Sequence, residues 1–263
     1  MSTVADSTIA ALRSGHDELA ALVKGLTLAE VSAPSGAEDW NLAAVLSHLG
    51  SGAVISLAGL DSALTGGGPR DPGFNRSVWD RWDAFAAQEQ VNEYLVSNAA
   101  LVERYESLDV HTRESLRIDM GFLPEPVDLA TAAGFRLMEF ALHSLDVRVG
   151  LDPNATVRAE AVPLLLPRIS SMFGWLAKTG ALAGRSVSML VELHEPTSSF
   201  GLQLGEAPAL VEAPASPDAT LTASAEAWVR LATGRLSAAH TPTGVEVTGD
   251  IDLDTLRAVF PGF

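Results

Sequence analysis

Ile9, Leu12, Leu19, Leu22 and Val23 return at intervals of three, four and seven residues, with polar residues between them. An α-helix turns every 3.6 residues, so this spacing gathers apolar side chains on one face and predicts a first helix over 4–26. Pro34 and Gly36 in "SAPSGAEDW" interrupt the pattern. Asp39 stands where an N-cap belongs, ahead of a second apolar helix over 40–64. "TGGGPRDPGFNRS" reads as a loop by its Gly and Pro content, and a long helical period, charged on one side, resumes over 78–108. A fourth helical stretch runs over 129–149, with Gly150 and Pro153 as its stop. Four helices joined by loops read as a bundle, and the space between facing helices of a bundle is a recurrent place for metal sites.

Beyond residue 150 the period changes. "EAVPLLLPRISSMFGWLAKTG" gives one more helix, and "SVSMLVELHE", "FGLQLG" and "VEVTG" read as strands between Gly, Pro and Ser turns. "SAEAWVRLATGRL" and "DLDTLRAVF" read as short helices among or after them. The expected fold class is therefore mixed: an N-terminal four-helix bundle over 1–150, a connecting helix and linker over 151–186, and a smaller α+β domain over 187–263. A chain of 263 residues is long enough for two cores.

Composition narrows the function classes. Hydrophobic residues make up 47% of the chain, yet runs such as "AAVL" and "VPLLLP" fall short of the roughly 20 residues a membrane span requires. The opening "MSTVADSTIAALRSG" lacks the basic start and apolar block of a secretory signal, so a cytoplasmic protein with no membrane partner is expected. Seventeen basic against 33 acidic residues give a formal charge of −16, which repels phosphate backbones and argues against a nucleic-acid partner. An arginine inside a pocket can still take a small anion, and Arg70 and Arg76 in the Gly-rich loop are candidates for such a contact. The absence of cysteine excludes disulfides, thiolate metal sites and a cysteine nucleophile. Any thiol must come from outside, and any metal must be held by His, Asp, Glu or main-chain groups.

"EFALHSLDV" carries the sharpest chemical signal. Glu139 and His143 are four apart, so both project from one face of the predicted fourth helix. Glu139 lies between Met138 and Phe140, where an ionised carboxylate is costly to bury without a partner. His48, in "VLSHLGS" of the second helix, is either a satisfied core histidine or a third group converging on the same point. Two imidazoles and a carboxylate leave coordination positions open, the inventory of a catalytic metal site rather than a closed structural one. The competing reading pairs Glu139 with Arg136 or Arg148 and leaves His143 hydrogen-bonded across the bundle. Asp146, three residues after His143, either orients that ring or is solvated or paired with Arg148. His16 in the polar "SGHDELA" reads as part of a solvated face, and His111, His194 and His240 form no spacing pattern.

"DWNLAAVLSHLGS", followed much further along by "RLMEFALHSLDVRVGLD", resembles the paired signature of the DinB-like mycothiol-dependent maleylpyruvate isomerase family. The tail, "ATLTASAEAWVRLATGR" with "VEVTGDIDLDTLRAVF", is similar to that family's small sterol-carrier-like domain. The resemblance implies a divalent metal, usually zinc, on His48, Glu139 and His143. It also implies mycothiol as a thiol cofactor or co-substrate and a small electrophilic substrate. It matches Arg235 in "LATGR" to an arginine that holds a substrate carboxylate, against the plainer reading of a surface ion pair. The implied activity is isomerisation or S-transfer; a non-enzymatic metal or small-ligand carrier and a metal-dependent hydrolase are the alternatives.

Overall fold

The computed structural model describes residues 3–67 and 71–262. The chain divides into two compact units, Met1–Ala155 and Thr156–Phe263.

Several helix starts in the first unit are set by side chains that satisfy otherwise unpaired backbone amides. Thr3 and Asp6 form a reciprocal capping box at the head of α1 (Val4–Val23). A short α2 (Leu28–Val31) follows, and Asn41 accepts from the Ala44 amide to open α3 (Leu42–Leu64). Then come α4 (Phe74–Asp83), α5 (Ala87–Glu106), α6 (Val110–Ser115) and the antiparallel pair β1 (Arg117–Ile118) and β2 (Val127–Asp128). Asp128 caps α7 (Leu129–Leu151) through the Thr131 amide. α3 packs against α5 and α7, and α1 packs against the same two helices, so the four form a bundle with α1 and α3 diagonally opposed. Leu12, Leu46, Leu49, Leu101, Leu137, Tyr94 and Phe140 are fully buried between them. Each such side chain contributes roughly 1.5–3 kcal/mol relative to exposure.

Two expectations need correction. Asp39 is not the N-cap of the second helix: its φ of 63° is left-handed, and the cap passes to Asn41, whose backbone is extended as a cap requires. The single helix expected over 78–108 is two helices, α4 and α5. The chain turns after Asp83, where the Trp82 carbonyl accepts from the Phe85 amide and from Gln90 Nε2, and the Trp82 ring meets the Phe85 ring edge-on. The ring of Trp82 fills the space left by Gly50 on α3, where a Cβ would collide with it. α3 is more uniformly apolar than its short runs suggested. With a mean hydropathy of 1.6 over its best window it is long enough to cross a membrane, but 56% of that window is buried within the structure.

The second unit holds α8 (Val162–Leu176), β3 (Val187–His194), β4 (Ser198–Leu204), β5 (Ala209–Val211), β6 (Ala219–Ser224), α9 (Ala225–Ala232), β7 (Glu246–Gly249) and α10 (Leu253–Val259). The strands form one sheet in the order β5-β4-β3-β6-β7, with β3 and β6 parallel and the other pairs antiparallel. Val187, Met189, Val191 and Leu193 alternate into the core from β3, and Trp228 meets Phe200 and Phe260 edge-on. The segment expected as a connector supplies α8, which packs on α9 and β5 and buries Leu165, Ile169 and Phe173. Arg230 on α9 is buried and forms an ion pair at 2.9 Å with Glu226 one turn before it, while Glu226 also accepts from the Val157 amide.

Candidate metal centre

α3 and α7 pack side by side in the first unit, and this contact brings three donor groups together. His48 comes from α3, Glu139 and His143 from successive turns of α7, and one ligand atom from each lies within 4.8 Å of the others. His48 Nε2 stands 3.1 Å from Glu139 Oε2, and His143 Nε2 stands 3.7 Å from the same oxygen. The two imidazole rings are 4.5 Å apart at 68°.

The groups behind the cluster hold it in place. The Asp146 carboxylate, buried, accepts from His143 Nδ1 at 2.9 Å. A carboxylate only accepts, so His143 Nδ1 carries a proton, and the other ring nitrogen, Nε2, faces Glu139. The loop between α2 and α3 closes over the same turn of α7: the Gly36 amide donates to the Asp146 carbonyl at 2.7 Å, and a Cβ on Gly36 would stand 3.1 Å from Asp146 Cα. Trp40 from that loop stacks on His143 at 6.0 Å and 22° and lies 5.4 Å from His48. Burial by itself raises the Glu139 pKa, but the His48 hydrogen bond and the charges of His143, His48 and Arg136 together hold it below the ordinary carboxylate range. Glu139 is therefore ionised. Two imidazole nitrogens and one carboxylate oxygen, with further positions open, suit a divalent cation that accepts nitrogen and oxygen donors.

The cluster borders a cavity of about 430 Å³. His48, Glu139 and Arg136 lie on one side of it; Ile55, Trp79, Ile118, Met120, Phe122 and Phe135 supply apolar walls. Phe122 and Phe135 meet edge-on at 5.5 Å.

The structure brings His48, Glu139 and His143 together and sets Asp146 behind His143. Arg148, weighed above as a partner for Glu139 or Asp146, pairs with Glu18 at 3.3 Å. Arg136 bonds to the Leu49 carbonyl and Asn98 and reaches Glu139 only through its charge. Arg235 belongs to the second unit, where Nη1 donates to the Thr233 carbonyl. Arg76 pairs with Asp80 at 2.7 Å, and Arg70 lies outside the described residues. The solvated reading of His16 is wrong: it is 5% exposed, and its Nδ1 accepts from Asn98 at 2.9 Å. Its neighbours Asp17 and Glu18 made the segment look polar, but the helical period turns His16 inward with Leu12 and Leu19. The aromatic walls and Arg136 were missed as site residues. One signal was available: Arg136, Glu139 and His143 fall at i, i+3 and i+7, one face of α7.

Residues 12–148 match the family model described as the mycothiol maleylpyruvate isomerase N-terminal domain. Two solved structures share the fold, the mycothiol-dependent maleylpyruvate isomerase and a histidine-to-alanine mutant of it. Each is 16% identical, with a TM-score of 0.67 and coverage of 95% of this chain and 98% of the other. Against curated protein sequences, nothing matches.

Proposed function

We propose, for a chain that belongs to the mycothiol maleylpyruvate isomerase family, an enzyme that uses mycothiol to isomerise or S-transfer a small electrophile at the first unit's cavity. The convergence of His48, Glu139 and His143 beside that cavity carries the reading. These residues would hold a divalent cation, with zinc the ion their nitrogen and oxygen donors suit. Bound there, the cation favours the deprotonated form of a thiol and so supplies the nucleophile that a cysteine-free chain lacks.

The protein's own residues do the positioning. Asp146 fixes the tautomer of His143, and Trp40 limits the movement of both imidazoles. The apolar walls keep water from competing with sulfur for the substrate. Sulfur addition to a conjugated double bond, rotation and loss of the same thiol would give cis-trans isomerisation; displacement of a leaving group would give S-transfer. Arg235 is assigned to a substrate carboxylate on the family resemblance. The cytoplasm, which keeps small thiols reduced, is the compartment this chemistry requires.

The test is turnover of maleylpyruvate, followed with and without mycothiol and before and after chelation. Turnover that needs both the thiol and a metal supports the reading. Metal-dependent hydrolysis indifferent to mycothiol would replace it with a hydrolase, and a protein that binds no metal even after reconstitution would point to a carrier.

A further inference from the structure

We infer that the Tyr105 hydroxyl is a hydrogen-bond donor of the reaction, set to hold the ketone oxygen of a substrate whose double bond is conjugated with that ketone. This role rests on the reading of the cavity as the reaction chamber and adds to it a catalytic residue and the atom it serves.

α5 carries two buried tyrosines, and their hydroxyls end differently. Tyr94 Oη has neither a hydrogen-bond partner among the described residues nor accessible surface, so no ligand reaches it. Tyr105 lines the cavity although only 2% of its surface is exposed. Its hydroxyl also makes no hydrogen bond among the described residues, but it is not one of the sealed atoms. A phenol with a packed ring and an open oxygen at a cavity wall offers its proton to whatever fills the cavity, and leaving that donor unmet is costly. The other polar groups of the wall suit the role less. Ser56 and Asn75 are half-buried, so water competes for them. Asp119 is a carboxylate, which only accepts, and it already takes the Gly121 amide. His48 faces Glu139 in the donor cluster. Arg136 spends Nη2 on the Leu49 carbonyl and Asn98, and its Nε has no surface.

Position and charge fit the task. The Arg104–Asp61 ion pair at 2.7 Å seats this end of α5 against α3, and His48, Gly52 and Ser56, on successive turns of α3, line the same cavity back to the donor cluster. Burial pushes the Tyr105 pKa up to about 12 while the charge of Arg136 pulls against it, so the phenol stays protonated and donates. The same charge acts on Glu139, which puts Arg136 within electrostatic reach of both the cluster and the hydroxyl. Negative charge gathering on an oxygen beside Tyr105 is therefore stabilised by a donor and by a fixed cation. Conjugate addition places charge on such an oxygen. The substrate's alkene carbon β to the ketone bonds the thiolate sulfur, and its π pair moves onto the ketone oxygen. The former double bond is now single and turns; the pair then returns, the carbon–sulfur bond breaks and the thiolate leaves unchanged. No proton is transferred, because the phenol hydrogen-bonds the oxygen throughout. Displacement of a leaving group from saturated carbon would give this donor nothing to do.

The test compares the full-length wild type with Tyr105→Phe, which removes one oxygen and keeps the packed ring. Turnover of maleylpyruvate with mycothiol should lose about a hundredfold in kcat, with KM, metal content and melting midpoint near their wild-type values. A second readout needs no turnover. Carbon-13 is placed at the ketone of 4-oxopentanoate, a saturated compound that cannot isomerise, and the protein is titrated with it. The ketone resonance should move downfield in the wild type, as that of a hydrogen-bonded carbonyl does, and keep its free position in Tyr105→Phe. No movement in the wild type, or the same movement in both proteins, overturns the contact. An unchanged kcat overturns the catalytic role, as does a fall in kcat that comes with lost metal or a lowered melting midpoint. A wild type that turns over nothing, or that needs no mycothiol, defeats the enzyme reading instead, and the ketone resonance then still decides whether Tyr105 is a donor to a ketone in this cavity.

Discussion

Both units of this protein bury charged side chains, and the two sets differ in what they leave undone. In the second unit Arg230 faces Glu226 at 2.9 Å, the carboxylate also takes the Val157 amide, and the guanidinium reaches the His240 carbonyl. Charge meets charge within the chain. In the first unit His48 and His143 both approach one oxygen of Glu139, and these three groups of metal-ligating type converge beside an open cavity. A buried pair that neutralises itself braces the fold, whereas donor groups that converge at the edge of a cavity are also arranged to take a ligand.

The largest effect should separate binding from folding. Glu139→Ala is expected to weaken metal retention by on the order of a thousandfold, with little change in the thermal midpoint of the metal-free protein. Elemental analysis beside a melting curve reads both, and a variant that keeps its metal would erase the distinction between the two clusters. The converse experiment is Arg230→Met, which leaves Glu226 facing no cation. It should destabilise the protein by about 3 kcal/mol in denaturant titration while metal content stays at the wild-type level. Adding Glu226→Gln to it should restore much of that loss; failure to do so would mean the pair is not what the unit relies on.

A finer cut tests the support of the metal cluster. Asp146→Asn is expected to weaken metal affinity by roughly 10–100-fold, because the ring of His143 loses the acceptor that fixes its tautomer. Competition with a coloured chelator measures it, and an unchanged affinity would reduce Asp146 to a packing residue. The smallest effect concerns His16. Burial lowers its pKa from the ordinary 6.5, with Arg13 adding to the shift and Asp17 and Glu103 opposing it. The unfolded ring takes up its proton first, so this contribution to stability is fully present above about pH 6.5 and is lost as pH falls below it. Denaturant midpoints at about pH 8 and about pH 5.5 should differ less in His16→Gln than in wild type.

The helical period alone placed α1, α3 and α7 to within a few residues, because each carries an unbroken apolar stripe with a polar start. The donor cluster was legible because two of its members share a helix at a spacing geometry makes unambiguous, and His48 was legible once a second helix was expected to face it. The break between α4 and α5 was not, since it depends on Trp82 seating in the gap at Gly50, 32 residues earlier. β5 and β6 carry too little to read. Ala209–Val211 is three residues long, and "ATLTAS" packs two alanines and one leucine inward. Arg136 looked like a spare charge beside Glu139 because the groups that fix it, Leu49 and Asn98, lie 87 and 38 residues away.

Trp40 has a further consequence, an optical one. Its indole lies within 6.0 Å of both imidazoles of the donor cluster. On the reading of this cluster as a metal centre, the protein carries its own occupancy gauge. An open-shell ion such as cobalt or copper seated between those rings should quench the emission of Trp40. The spectrum lost between wild type and Trp40→Phe gives the indole's share, so filling of the site can be followed in real time without a label.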